Sequence, residues 1–104
     1  MLKIKLFCAA GISTAMVVRS LREAAEKRGA DVQIESGPVS ALDHEDKGDI
    51  DVALLGPQIA YELDHAREVL EPKGIKVAAI PMTDYGLVRG DAILELALGL
   101  TQSA

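Results

Sequence analysis

Apolar and polar positions along this chain follow two rhythms that alternate. Ile4-Lys5-Leu6-Phe7 is a short, mostly apolar strand pattern. From Ser13 or Thr14 to Arg28 the period lengthens. Val17, Leu21, Ala24 and Ala25 fall on one stripe and Arg19, Arg22, Glu23, Glu26 and Lys27 on the other side, which predicts an amphipathic helix. Ser13 or Thr14 is its N-cap and Gly29 its stop. Asp31-Val32-Gln33-Ile34-Glu35 returns to strict alternation, as an edge strand does. Ser36-Gly37-Pro38 reads as a turn, and Ser40-Ala41-Leu42-Asp43 resembles a capping box opening a short helix that ends near Gly48.

The second half repeats the scheme. Asp51-Val52-Ala53-Leu54-Leu55 is apolar enough for a central strand of a parallel sheet. Gly56-Pro57-Gln58 turns into a helix with Ile59, Leu63, Ala66 and Leu70 at helical spacing, stopped by Pro72. Ile75 to Ile80 is a fourth strand. Pro81-Met82-Thr83-Asp84-Tyr85-Gly86 reads as a loop, irregular to Gly90, and Asp91 caps a last helix carrying Ile93, Leu94, Ala97 and Leu100. Four strand–helix units predict an α/β fold: one parallel sheet with right-handed crossovers and helices on both faces. Ligands in such sheets sit beyond the carboxyl ends of the strands. That edge collects the turn after Phe7, Ser36-Gly37, Gly56-Pro57-Gln58 and the loop from Pro81 to Gly86.

Composition narrows the possibilities. With 104 residues, residues 1–104 are predicted to form a single domain. A formal charge of −5 argues against a nucleic-acid partner, which demands a basic patch, and 3% aromatic content argues against base stacking. Lys3 and Lys5 before the apolar stretch Leu6 to Val18 loosely resemble a signal peptide. Gly11, Ser13 and Thr14 interrupt that stretch, and no cleavage site follows. No apolar run approaches the ~20 residues that cross a bilayer. The expectation is a cytoplasmic protein without membrane insertion. A single cysteine forms no intrachain disulfide, so nothing requires an oxidising compartment.

That cysteine, Cys8, carries the chemistry. It follows the first strand and opens the small-residue turn Ala9-Ala10-Gly11-Ile12-Ser13-Thr14, after which a helix begins. Backbone N–H groups and the positive end of a helix dipole converge there, and both favour a thiolate and a phosphoryl group carried on the sulfur. Position just past the strand points to exposure and reactivity; the alternative is a buried, inert core cysteine. Cysteine phosphatases follow their nucleophile with five residues and an arginine. Here that position is Thr14, and the first arginine, Arg19, lies inside the helix. Without a bidentate arginine the site favours holding a phosphoryl group and passing it on. His44 and His65 have no second ligand at metal spacing, so both read as surface histidines and no metal site is predicted. Asp84 and Tyr85 fit two readings: orienting a partner, or turn formation and packing.

The run Leu6 to Val18 closely resembles the active-site loop of cellobiose/lactose-type IIB components of the bacterial phosphoenolpyruvate-dependent sugar phosphotransferase system. Asp51 to Gln58 and Tyr85-Gly86 resemble two further segments of that family, in the same order and spacing. The resemblance covers essentially the whole chain. It implies a four-stranded parallel sheet of order 2-1-3-4, no cofactor and no metal, and a phosphotransferase with a phosphocysteine intermediate. Cys8 carries over as the nucleophile and Ala9, Ala10, Gly11, Ile12, Ser13 and Thr14 as the phosphate-binding loop; Gly56, Pro57, Gln58, Asp84 and Tyr85 are neighbours of the site. The implied partners are a IIA phosphohistidine protein as donor and, as acceptor, a sugar (a β-linked disaccharide) held by the membrane permease IIC, reached by transient docking at the inner face of the membrane. The alternatives are a low-molecular-weight cysteine phosphatase, which the missing arginine disfavours, a thiol redox protein, which lacks a resolving cysteine, and an anion-binding module indifferent to the thiol.

Overall fold

The computed structural model describes residues 1–8, 14–46 and 48–102, with the backbone alone at Thr14 and Gln102. Four parallel strands, β1 (Leu2–Cys8), β2 (Val32–Pro38), β3 (Val52–Leu55) and β4 (Lys76–Ala79), form one sheet in the order β2-β1-β3-β4. The helices are α1 (Thr14–Arg28), α2 (Leu63–Leu70), α3 (Met82–Gly86) and α4 (Gly90–Gln102).

Strand alternation divides the interior in two. Ile4, Leu6, Val52, Leu54 and Ala78 face α1 and α4 and meet Val17, Leu21, Ile93, Leu94 and Ala97, all buried. Phe7, Ala53, Leu55 and Val77 face the other way, against Leu42, Ile59, Ala66 and Leu70. β1 and β3 are covered on both faces and paired on both sides; β3 accordingly reads as a continuous apolar run, while β1 carries Lys3 and Lys5 among its apolar residues.

Several boundaries differ from the sequence reading. Ser36-Gly37-Pro38 is not a turn: the three residues continue β2 and pair with Leu6, Phe7 and Cys8. Proline is tolerated there because β2 is an edge strand and its missing N–H costs no ladder bond. The capping box at Ser40 does not form. The segment Val39–His44 is a single 3₁₀ stretch whose N-cap is Pro38, without a side-chain cap. The helix expected after Pro57 breaks into a 3₁₀ segment, Pro57–Glu62, kinked at Ile59, followed by α2; Pro57 does occupy its first turn. The stretch Pro81 to Gly86, read as a loop, contains the helical turn α3. Gly29 and Gly74 both take positive φ, +65° and +83°, where the chain turns back into β2 and β4.

A buried ion pair ties the β1 strand to the segment before β3. Lys5 Nζ lies 2.6 Å from Glu45 Oε2, with side chains only 16% and 10% exposed, and passes over Gly37, where a Cβ would stand 2.8 Å from Lys5 Cε. The ammonium also lies 5.4 Å above the Phe7 ring. Lys73 Nζ donates to the Glu45 carbonyl at 2.6 Å, holding the same segment from the other side.

Candidate functional site

Cys8 is the last residue of β1, its Cα in register with Pro38. The sequence reading placed it just past the strand and exposed; it is in the strand and 5% exposed, because β2 runs on through Pro38 and keeps β1 paired to its end. Alternation turns its side chain toward the face of Ile4 and Leu6, the side covered by α1 and α4. Ala9, Ala10, Gly11, Ile12 and Ser13 lie outside the described residues, as does the side chain of Thr14. The backbone of Thr14 opens α1, so the helix N-terminus stands at the carboxyl edge of the sheet beside Cys8.

Gly56 brings the neighbouring segment close. Its N–H donates to the Phe7 carbonyl at 3.0 Å, extending the β3–β1 pairing past the strand ends. A Cβ at this position would meet Gln58 Oε1 at 3.2 Å, the Phe7 carbonyl oxygen at 3.5 Å and Tyr85 Cε2 at 3.7 Å. Gly56, Gln58 and Tyr85 therefore converge beside the end of β1, as the topology argument required. Tyr85 is buried, its N–H bonded to the Pro81 carbonyl at 3.0 Å. Asp84 is half-buried and engaged locally: its carbonyl accepts the Arg89 N–H at 2.8 Å and its carboxylate lies 3.9 Å from Arg89 Nη1.

On the α1 side of this edge is a cavity of about 380 Å³ lined by Met16, Val17, Gln58, Tyr85, Gly86 and Val88. Exposed apolar side chains stand on the same edge: Met16 in the first turn of α1, Met82 in α3 and Leu87 just after it. Sequence reasoning missed Met16, Ser20 and Val88. Met16 was visible as an apolar residue off the buried stripe of α1; the other two had no local signal. Arg19 pairs with Glu23 at 3.3 Å on the outer surface of α1, so it supplies no fork toward the Cys8 edge. Among the described residues no helix is long and apolar enough to cross a membrane.

The histidines sit apart from this edge. His65 Nε2 lies 2.8 Å from Asp43 Oδ1, joining α2 to the 3₁₀ stretch at the surface. The hydrogen bond to Asp43, and next the charge of that carboxylate, raise the imidazole above its usual 6.5. His44 is also exposed.

Known proteins share this arrangement throughout its length. The family model described as the lactose/cellobiose-specific IIB subunit of the phosphotransferase system matches residues 3–96. The galactose-specific EIIB component of Lactococcus lactis subsp. cremoris is 37% identical over 101 residues, covering 93% of this chain and 94% of that protein. The oligo-beta-mannoside-specific EIIB component of Bacillus subtilis is 33% identical and is covered to 96% on both sides. Of solved structures, the lactose-specific IIB domain from Streptococcus pneumoniae superposes with a TM-score of 0.84 at 23% identity, covering 97% of this chain and 98% of that one, which speaks to the fold. The cellobiose-specific IIB component from Borrelia burgdorferi superposes at 0.75 with 32% identity, covering 95% and 90%. A match that begins in β1, passes through Cys8 and ends within α4, at an identity that far exceeds a shared fold, makes this chain a member of the lactose/cellobiose-specific IIB family of the phosphoenolpyruvate-dependent sugar phosphotransferase system.

Proposed function

We propose that this IIB component carries its phosphoryl group on the sulfur of Cys8. The Cys8 thiolate attacks the phosphorus of a phosphohistidine on a IIA protein; the P–N bond breaks, the P–S bond forms, and the imidazole leaves. In the second step a hydroxyl oxygen of a sugar held by the permease IIC attacks the same phosphorus. The P–S bond breaks, the P–O bond forms, the hydroxyl proton passes to base or solvent, and the thiolate returns. The backbone of residues 9–14 and the N-terminus of α1 hold the phosphoryl group's roughly two negative charges in between. Held by dipoles rather than by a forked cation, it stays transferable in either direction.

The observation that carries this reading is the position of Cys8 at the carboxyl end of a central strand, facing the side on which α1 begins. Names of the relatives bear on the substrate class: cellobiose and oligo-β-mannosides, named for two of those proteins, are β-linked and support a β-linked disaccharide here, while galactose, named for a third, is a monosaccharide. Docking is transient, at the inner face of the membrane, through the exposed apolar side chains of Met16, Met82 and Leu87.

The test is intact-mass measurement after mixing the protein with phosphoenolpyruvate, the two general phosphotransferase proteins and candidate IIA proteins. A gain of one phosphoryl mass, absent in Cys8→Ser and when IIA is omitted, is the expected result. No gain with any competent IIA overturns the carrier reading and moves the assignment to a phosphatase or an anion-binding module.

A further inference from the structure

Val88 has φ +53°, and among the described residues it is the one position outside glycine with a positive φ. A β-branched residue is a genuine outlier there. Such a conformation persists only where the surroundings over-determine it, and here they do. Ser20, in the second turn of α1, donates its hydroxyl to the Val88 carbonyl at 3.0 Å and accepts the Gly90 N–H at 3.0 Å. The Val88 N–H donates to the Tyr85 carbonyl at 3.1 Å. Gly90 presses directly on the α1 backbone: a Cβ would lie 2.3 Å from the Ser20 carbonyl oxygen. One hydroxyl thus fastens the turn between α3 and α4 to α1.

Val88 joins this clamp to the cavity at the carboxyl edge of the sheet, which it helps to line, while Ser20 and Gly90 stand behind it and line a separate hollow. Tyr85, Gly86 and Val88 form one wall of that cavity and Met16 and Val17 of α1 the other. Ser20 lies one turn beyond Met16 and Val17 on the same helix, so its two hydrogen bonds set the separation of the walls. We infer that Ser20 and Val88 are positioning residues for phosphoryl transfer: they fix the Tyr85–Gly86 wall against the first turns of α1, so that a partner's reacting group reaches Cys8 in one geometry. The consequence for rate rests on the carrier reading; the consequence for the shape of the cavity does not.

Two variants test it. Ser20→Ala removes both hydrogen bonds of the clamp. Val88→Gly keeps them but removes the side chain that lines the cavity and frees the turn from its single backbone conformation; because it also relieves the unfavourable φ, it remains folded even if Ser20→Ala does not. Three quantities are measured for each: phosphoryl gain against the concentration of phosphorylated IIA, Cys8 alkylation by iodoacetamide, and Cys8 alkylation by a bulky N-aryl maleimide. The expected result is a saturating transfer rate lowered about ten-fold, as sub-ångström misplacement of reacting groups produces. The half-saturating donor concentration and the iodoacetamide rate should stay within about two-fold, while the ratio of bulky to small alkylation rises. Transfer unchanged in both variants, or transfer lost only in proportion to iodoacetamide reactivity, overturns the inference. If wild type itself takes no phosphoryl group, the carrier reading fails and the alkylation ratio decides alone: a rise of about three-fold upholds the clamp, and an unchanged ratio refutes it.

Discussion

Replacing Glu45 with alanine should leave Lys5 as a nearly buried ammonium with no carboxylate. Lys5 and Glu45 meet at 2.6 Å with side chains 16% and 10% exposed. Removing one member of such a pair costs far more than the pair contributes, because the remaining charge keeps its desolvation penalty; fully buried cases run to 3–5 kcal/mol. The residual exposure and the Phe7 ring 5.4 Å below the ammonium soften that, so about 2–3 kcal/mol is expected for Glu45→Ala and a similar loss for Lys5→Met. For a domain of this size that lowers Tm by roughly 8–15 °C. The double variant Lys5→Met, Glu45→Leu leaves neither charge stranded and should recover most of the loss. Urea and thermal unfolding of the four proteins at pH 7 closes the cycle. The reasoning is refuted if the single variants cost under about 0.5 kcal/mol, or if the double variant loses the sum of the two, since either result means the charges are solvated independently.

Other outcomes follow from the same geometry. Gly90→Ala drives a methyl into the Ser20 backbone and should cost about 3 kcal/mol or abolish folding, read by urea unfolding. Leu54→Ala empties a fully buried site in the central strand β3 and should cost about 2–5 kcal/mol by the same assay. The imidazole of His65 is raised above 6.5 by Asp43, so its contribution is complete below pH 6.5 and disappears as pH rises through the folded value. Asp43→Asn should bring the NMR titration midpoint of His65 down toward 6.5; an unchanged midpoint would assign the shift to Glu62 and Glu68 instead.

The four strands and the two long helices were legible because their apolar periods run over whole elements, whereas the sheet order came only with the family resemblance. Short segments were not. Ser36-Gly37-Pro38 has turn composition, yet pairing with Leu6, Phe7 and Cys8 draws it into β2. Pro81 to Gly86 looks like a loop because Pro, Thr, Asp and Gly dominate it, while the Tyr85 N–H bond to the Pro81 carbonyl closes a helical turn. For the site, the residue type of Cys8 and its place at the carboxyl edge of the sheet were readable; that it lies inside β1 and is buried was not, since both depend on how far β2 extends. Gly56, Gln58 and Tyr85 converge as topology required. The Ser20 clamp and the Lys5–Glu45 pair join residues 68 to 70 and 40 positions apart, beyond any local pattern. The sign of φ at Val88 had no trace in its side chain.

The central place of β1 also shapes how the protein is made. Both neighbours of β1, β2 and β3, are synthesised after it, and Ile4 waits for Val52 before its second side is paired. At ribosomal rates of about 5–20 residues per second that leaves an apolar, cysteine-bearing segment incomplete for several seconds. A nascent chain that pauses before β3 therefore holds Cys8 in a strand whose second side is unpaired, and slow translation between residues 38 and 52 lengthens that interval.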